Sequence, residues 1–149
     1  MEGFALRIIT LIAAGKTREA AETCSQLFDR WRDVGGMAAS SDALAEVATT
    51  GLEPDRVGEA AALLPAISRW KPALLATSDC RFAEAAIAFK ELGSAPLEAA
   101  SHLRAAEQAV EQGRSAQANH HARLALEFYT AVDATLHVTH AESLLAVSA

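Results

Sequence analysis

Five histidines have the most obvious capacity for chemistry in this sequence: His102, His120, His121, His137 and His140. His137 and His140 are three residues apart, a helical spacing that places two imidazoles on one face, where they are able to hold a metal ion. No cysteine follows these two histidines at a matching spacing. The carboxylate that does follow, Glu142, points away from their face of the helix. The adjacent His120 and His121 point in different directions. We therefore expect exposed or turn-packing histidines and no metal site, with a pH-responsive patch as the alternative.

The carboxylates and hydroxyls do not form a catalytic set. General acid–base catalysis needs carboxylates that converge in a pocket. Four glutamates instead fall in predicted first helical turns, where they complement the helix dipole: Glu19, Glu59, Glu84 and Glu98. Gly15-Lys16-Thr17 has the ending of a phosphate-binding loop, but Thr10 stands where that loop needs a glycine. With no Gly-x-Ser-x-Gly nucleophile motif either, the sequence predicts no enzyme, no catalytic residue and no cofactor.

The composition favours helices. The chain has 149 residues, of which 51% are hydrophobic and 35 are alanine, the best helix former and a poor strand former. This predicts an all-α protein. The formal net charge of -6 repels nucleic-acid phosphates and anionic lipid, so we expect neither nucleic acid nor a membrane as partner. Cys24 and Cys80 lie far apart and form no CxxC pair, so we interpret both as free thiols of a cytoplasmic protein.

A repeated apolar pattern organises the predicted helices. Apolar residues recur from Ala20 to Val34 at spacings of three and four, and the same slots are apolar again from Ala118 to Val132. In this register Trp31 corresponds to Tyr129. The separation along the chain between equivalent residues of the two copies, such as Trp31 and Tyr129, equals about three helix-turn-helix units of roughly 33 residues. We therefore predict one repeat domain over residues 1–149, in which alanines allow paired antiparallel helices to approach closely.

Glycine and proline divide the chain into nine predicted helices. They cover about residues 3–14, 17–34, 38–50, 54–68, 71–77, 80–92, 96–112, 115–132 and 134–147. Glycines are expected to end helices at Gly15, Gly35-Gly36, Gly51, Gly93 and Gly113. The predicted N-caps are Thr17, Ser115, Asp133 and the Ser40-Ser41-Asp42 segment. Pro54 and Pro96 suit first turns, whereas Pro65 and Pro72 should break the irregular middle, around residues 51–79.

The second half of the chain carries the most recognisable motifs. Residues 85–93 read Ala-Ala-Ile-Ala-Phe-Lys-Glu-Leu-Gly, and the later motifs are Pro96-Leu97-Glu98-Ala99-Ala100, Arg104-Ala105-Ala106-Glu107, Gly113-Arg114-Ser115-Ala116 and Ala141-Glu142-Ser143-Leu144-Leu145. This half resembles the C-terminal tetratricopeptide (TPR)-like region of large actinobacterial regulators, in which such arrays follow a signal-transducing ATPase module. A nucleotide cyclase or LuxR-type DNA-binding domain lies elsewhere in those proteins. The resemblance implies a short right-handed TPR-like α-solenoid without its effector domains.

The function that this resemblance implies is contact with other polypeptides. Stacked helix pairs leave a concave face that accepts a peptide or a partner helix. We therefore expect a non-catalytic module for protein–protein interaction or regulation, from a bacterial signalling or transcriptional regulator. Its partner is a separate protein or another domain of a larger chain. The alternative is a small-molecule effector sensor with a pocket in the concave face or in the irregular middle.

The candidate contact residues are aromatic. Trp70 lies beside the predicted break, between Arg69 and Lys71, while the adjacent Phe128 and Tyr129 cannot both face inward. The first helix is also apolar almost all around, although it is too short to span a bilayer. A terminal repeat normally needs a polar outer face. We therefore expect either another segment to cover this helix or a second chain to do so in a homodimer.

Overall fold

The computed structural model describes residues 2–33 and 41–148, and these residues form helices joined by turns, with no strand among them. The helices are α1 (Glu2–Ala13), α2 (Thr17–Asp33), α3 (Ser41–Ala48), α4 (Pro54–Ala62), α5 (Lys71–Ser78), α6 (Phe82–Leu92), α7 (Ala95–Glu111), α8 (Ser115–Ala131) and α9 (Thr135–Val147). The all-α prediction is confirmed. The predicted Gly35-Gly36 turn, Ser40 and the start of the third helix at residue 38 lie outside the described residues.

The chain divides into two compact units, an N-terminal unit (Met1–Cys80) and a C-terminal unit (Arg81–Ala149). In the N-terminal unit α1 packs on α2 and α3, and α4 packs on α5. Its core contains the fully buried Trp31, Leu44 and Leu74. The indole of Trp31 donates from Nε1 to the Ala60 carbonyl at 3.2 Å, which connects α2 to α4 through the core. The single repeat domain over residues 1–149 and its solenoid arrangement stay predictions.

In the C-terminal unit each helix packs on the next, and α7 also contacts α9. The connections between consecutive helices are only two or three residues long, so neighbouring helices run antiparallel. Four alanines at these contacts have no exposed surface: Ala106, Ala118, Ala122 and Ala125. A second cluster, formed by Ala99, Leu103, Ala125, Tyr129 and Ala141, joins α7, α8 and α9. Small side chains therefore occupy many of the buried positions on α7, α8 and α9.

The internal correspondence seen in the sequence reappears in the structure. Helices α2 and α8 are each 17 residues long, and they begin at Thr17 and Ser115, which are equivalent in the repeat register. Buried positions also correspond, since Ala20 and Ala118, Cys24 and Ala122, and Trp31 and Tyr129 are buried pairwise. The same pattern of small and large side chains thus serves as the buried face of a helix in each unit.

The ends of the helices confirm the predicted glycine terminators and correct the predicted N-caps. Gly15, Gly51, Gly93 and Gly113 adopt positive φ after a helix. At Gly93 the amide of Ser94 donates to the Phe89 carbonyl, a bond that the left-handed residue makes possible.

The N-cap predictions at Thr17, Ser115 and Asp133 are each wrong by one residue. Thr17 and Ser115 are already the first residues of α2 and α8, and Arg114 holds the N-cap position of α8. Asp133 instead takes the left-handed conformation, with φ of 54°, and Ala134 caps α9. The cause is the tight link itself, since one left-handed residue and one extended residue suffice to reverse the chain.

The segment predicted to be irregular contains a break between two helices. Helix α4 ends at Ala62, before the predicted limit at residue 68, and α5 begins at Lys71. Pro65 lies between them, where it has no amide to donate to a continuing helix. Pro54 is the first residue of α4, as predicted for a residue with a fixed φ and no N–H.

Candidate functional site

The predicted contact residues around Trp70 lie at the break between α4 and α5. Trp70 is half-buried at the N-cap position of α5, and Arg69 is exposed. The Lys71 ammonium donates to the carbonyls of Leu64 at 2.8 Å and Ala62 at 3.2 Å. A cation at the last carbonyls of a helix stabilises it, because those groups carry the negative end of the helix dipole. Lys71 therefore has a structural role, and a partner contact at this segment stays a prediction.

Phe128 and Tyr129 lie in the C-terminal unit, on α8. Their rings meet edge to face at 5.5 Å, and Tyr129 is buried whereas Phe128 is half-buried. Tyr129 also stacks on the His137 imidazole, with ring centroids 4.4 Å apart. Burial, and then the charge of Glu107, raises the pKa of Tyr129 to about 12. Tyr129 is thus a core residue between α8 and α9, and Phe128 is the more accessible of the two.

The structure brings together two histidines that the sequence pattern did not connect. His102 on α7 and His121 on α8 stack with centroids 5.2 Å apart, and their Nδ1 atoms are separated by 3.1 Å. His120 meets His121 edge to face, also at 5.2 Å. The available signal is that both residues lie within three helical turns of the link between α7 and α8, so that closure of an antiparallel hairpin can bring them together. We call His102, His120 and His121 the histidine cluster.

The surroundings of His102 and His121 favour the neutral form of both imidazoles. Burial, and then the charges of His121, His120 and Lys90, together lower the pKa of His102 to about 4. Burial, His120 and Arg114 lower the pKa of His121. The Glu98 carboxylate lies 3.9 Å from His102 Nε2, too far for a hydrogen bond, and 3.5 Å from the Lys90 ammonium, so it does not offset the burial. At neutral pH one imidazole therefore donates a hydrogen bond and the other accepts it.

The two histidines that the sequence placed on one helix face have separate neighbours. His137 stacks on Tyr129, whereas His140 Nε2 lies 3.3 Å from Glu107, which also accepts from Arg104 at 2.5 Å. Within residues 2–33 and 41–148, no group of three or more histidine, cysteine or acidic side chains is arranged to hold a metal ion.

A groove of about 170 Å³ opens between α2 and α4 in the N-terminal unit. Its lining residues are Phe28, Trp31, Arg32, Arg56, Glu59, Ala60 and Leu63. The Arg56 guanidinium lies 5.5 Å from the centre of the Phe28 ring and binds the Asp29 carboxylate at 2.5 Å. Arg32 binds Glu59 at 3.2 Å across the two helices. The groove thus has an apolar floor and a rim of paired charges, and we call it the α2/α4 groove.

Helix α1 leaves a row of large apolar side chains uncovered. Its inner face is buried through Ala5 and Ile8, whereas Leu6 is 68% exposed, Ile9 39% and Ile12 37%. Leu6, Ile9 and Ile12 follow one another at a spacing of three, and we call them the α1 ridge. Rows at this spacing are the ridges with which one helix packs against another.

The two cysteines differ in exposure. Cys24 is fully buried, and burial raises the pKa of its thiol to about 12, so it is a core residue, as its place on the apolar stripe predicted. Cys80 is exposed and adopts a left-handed φ of 56°. In the described part of the chain, none of the helices combines the length and apolar character needed to cross a membrane.

No family model, no curated protein and no solved structure matches this chain. The resemblance to TPR-like regions of bacterial regulators therefore stays a prediction.

Acid should destabilise the fold through His102. A group whose folded pKa is about 4 and whose unfolded pKa is about 6.5 binds protons more readily when unfolded, so stability falls as the pH drops through this window. We expect His102 to account for a loss of about 2 kcal/mol between pH 7 and pH 5. Urea unfolding at both pH values, in buffer with EDTA, measures this loss in the wild type and in His102→Gln. Equal pH dependence in the two proteins would contradict the assignment.

Loss of the Lys71 ammonium should destabilise the break between α4 and α5. Lys71→Met removes a charged donor from two carbonyls, and we expect a loss of about 1–2 kcal/mol in the free energy of unfolding. Lys16→Met is the matched control, because Lys16 is 55% exposed and pairs with Glu19 on the surface. Its effect should stay within about 0.5 kcal/mol. A Lys71→Met protein as stable as the control would show that these two hydrogen bonds do not stabilise the fold.

Proposed function

We propose that this chain is a non-catalytic helical-repeat module for protein–protein contact, from a cytoplasmic bacterial signalling or transcriptional regulator. In this proposal its helix hairpins are TPR-like repeats of a short right-handed α-solenoid. The consecutive antiparallel packing of α6 to α9 and the equivalence of α2 and α8 support that arrangement. The observation that carries the functional part is the uncovered α1 ridge.

The α1 ridge has the chemistry of a helix-packing surface. Leu6, Ile9 and Ile12 present apolar surface to water, and burying such surface against a partner stabilises a complex by about 25 cal/mol per Å². No ridge side chain carries a charge that a partner would have to neutralise. Open space surrounds Gly3, near one end of the helix, and Ala13, near the other end, is small and exposed. Small residues at both ends allow a second helix to approach closely.

The occupant that fits this pattern best is α1 of a second copy. In a two-fold dimer the same patch lies on both sides of the interface, so a surface must be complementary to itself. When two α1 helices cross antiparallel near Leu6 and Ile9, the small residues near the ends of each helix lie against the α1 ridge of the other. Contact with another domain of a larger chain, or with a separate protein, would use the same apolar ridge.

Light scattering over a concentration series tests this proposal. We expect the wild type to form a dimer and the Leu6→Lys/Ile9→Lys variant to remain monomeric, because a buried pair of ammonium groups opposes association. The matched control is Leu136→Lys, which changes a leucine that is 75% exposed on α9. It should dimerise like the wild type. A wild type that is monomeric throughout, or equal dissociation of both variants, would contradict the second-copy contact.

The second candidate is a small-molecule effector module that uses the α2/α4 groove. The groove adjoins the irregular middle through Leu63, and its volume of about 170 Å³ is close to that of an apolar cavity able to hold one aromatic ring. Its rim charges are paired with each other, so the groove favours an uncharged, ring-sized apolar compound over an ion.

A thermal-shift screen of uncharged aromatic and branched aliphatic compounds tests the groove. A ligand at about 100 times its Kd should stabilise the wild type by about 2.7 kcal/mol and raise its Tm by several degrees. Leu63→Glu, which places a charge at the groove, should abolish that rise. Ile67→Glu is the control, because Ile67 is 92% exposed and does not line the groove. Stabilisation that survives in Leu63→Glu would place the ligand elsewhere.

A further inference from the structure

The two imidazoles that meet between α7 and α8 place two nitrogen atoms at nearly the separation of two ligands of one metal ion. The Nδ1 atoms of His102 and His121 face each other at 3.1 Å. Two imidazole nitrogens bound to one tetrahedral Zn²⁺ at 2.0–2.1 Å lie about 3.3–3.4 Å apart. If the two rings moved apart by a few tenths of an ångström, the ion would fit between their Nδ1 atoms.

The neighbour of the other ring nitrogen of His102 favours the same role. A carboxylate oxygen of Glu98 lies 3.9 Å from His102 Nε2. Metal-bound histidines characteristically present their second ring nitrogen to a carboxylate, which places the proton there and leaves the first nitrogen as a lone-pair donor. At 3.9 Å the Glu98 carboxylate is not hydrogen-bonded to this nitrogen, but its negative charge favours a proton on His102 Nε2, which leaves Nδ1 as the lone-pair donor. His121 Nδ1, which then donates to it, carries the proton that a metal ion would displace.

We propose that His102 and His121 form a binding site for a borderline-soft divalent transition-metal ion, with Zn²⁺ or Ni²⁺ as the ions of suitable chemistry. Imidazole nitrogens suit these ions, whereas Mg²⁺ and Ca²⁺ prefer oxygen. Binding moves the His121 proton from Nδ1 to solvent or to Nε2, and both Nδ1 lone pairs then point at the ion. The ion would join α7 to α8 across the hairpin.

The site supplies two protein ligands and leaves the remaining positions to water. His120, whose ring lies edge-on to His121 at 5.2 Å, is the nearest further imidazole in the cluster. The Lys90 ammonium, which would repel a cation, lies 3.5 Å from the Glu98 carboxylate, and the chain as a whole carries a net charge of -6. We therefore expect binding that is weaker than at a structural zinc site with four protein ligands.

Calorimetry and thermal unfolding with Zn²⁺, Ni²⁺ and Mg²⁺ test this proposal on the full chain. We expect Zn²⁺ and Ni²⁺ to raise the Tm reversibly, with EDTA restoring the original value, and Mg²⁺ to have no effect. His121→Gln should weaken Zn²⁺ binding at least tenfold, since even residues that only orient a ligand contribute about 10–100-fold. His140→Gln is the control, because it removes an imidazole of the same unit that pairs with Glu107 instead.

The assignment is overturned if Mg²⁺ stabilises the protein as much as Zn²⁺ does, or if His121→Gln and His140→Gln bind Zn²⁺ alike. A readout on the wild type keeps the test independent of how well the variants fold. In ¹⁵N spectra of the imidazoles, Zn²⁺ should shift the Nδ1 resonances of His102 and His121 and leave those of His137 and His140 unchanged. Shifts confined to His137 and His140 would also overturn it.

Discussion

The close approach of neighbouring helices is the constraint on which the rest of this structure depends. Where α7 meets α8, the contact positions are alanines without exposed surface, among them Ala106, Ala118 and Ala122. Larger side chains at these positions would force the helix axes apart, because protein interiors are packed too densely to absorb extra volume. The large residues are therefore found beyond these contacts, with Trp31 near the end of α2 and Tyr129 near the end of α8.

The same close approach explains the polar features of the C-terminal unit. Because the alanines draw α7 and α8 together, His102 and His121 are half-buried against each other and share one hydrogen bond. Burial disfavours their charged forms, which is why both pKa values are lowered. A pair of neutral imidazoles with facing nitrogen atoms is thus a consequence of helix packing, and this pair is the basis of the metal site that we propose.

The N-terminal unit is packed with larger side chains than the C-terminal unit, and it exposes a groove and an apolar ridge. Larger side chains fill its core, and Trp31 bonds to the backbone of α4, so that a groove remains between α2 and α4. The break at Pro65 ends α4 early, and Lys71 covers the carbonyls that this ending leaves. Helix α1 buries only one of its apolar faces, which leaves the ridge as the feature of this unit most suited to contact with another polypeptide.

Local chemistry determined much of this fold. Three local signals predict the helices to within a few residues in most of the described chain, since each acts within one turn. They are the alanine content, the apolar spacing of three and four, and the glycines that separate α1 from α2, α6 from α7 and α7 from α8. The main discrepancy in length is α4, whose end at Ala62 precedes the predicted limit. The N-caps were missed because Asp133 and Arg114 take positions that the tight links impose.

The candidate sites depended on contacts that no local pattern contains. The sequence drew attention to Trp70, Lys71 and Tyr129 because of their types, but the structure alone assigns the Lys71 ammonium to the carbonyls of α4 and the Tyr129 ring to His137. His102 and His121 are 19 residues apart and belong to different helices, so their meeting depends on how the hairpin closes. By itself the sequence determined which segments are helical, because that choice depends on neighbours within a turn. Only the tertiary structure decided which side chains meet, because that depends on how closely the helices pack.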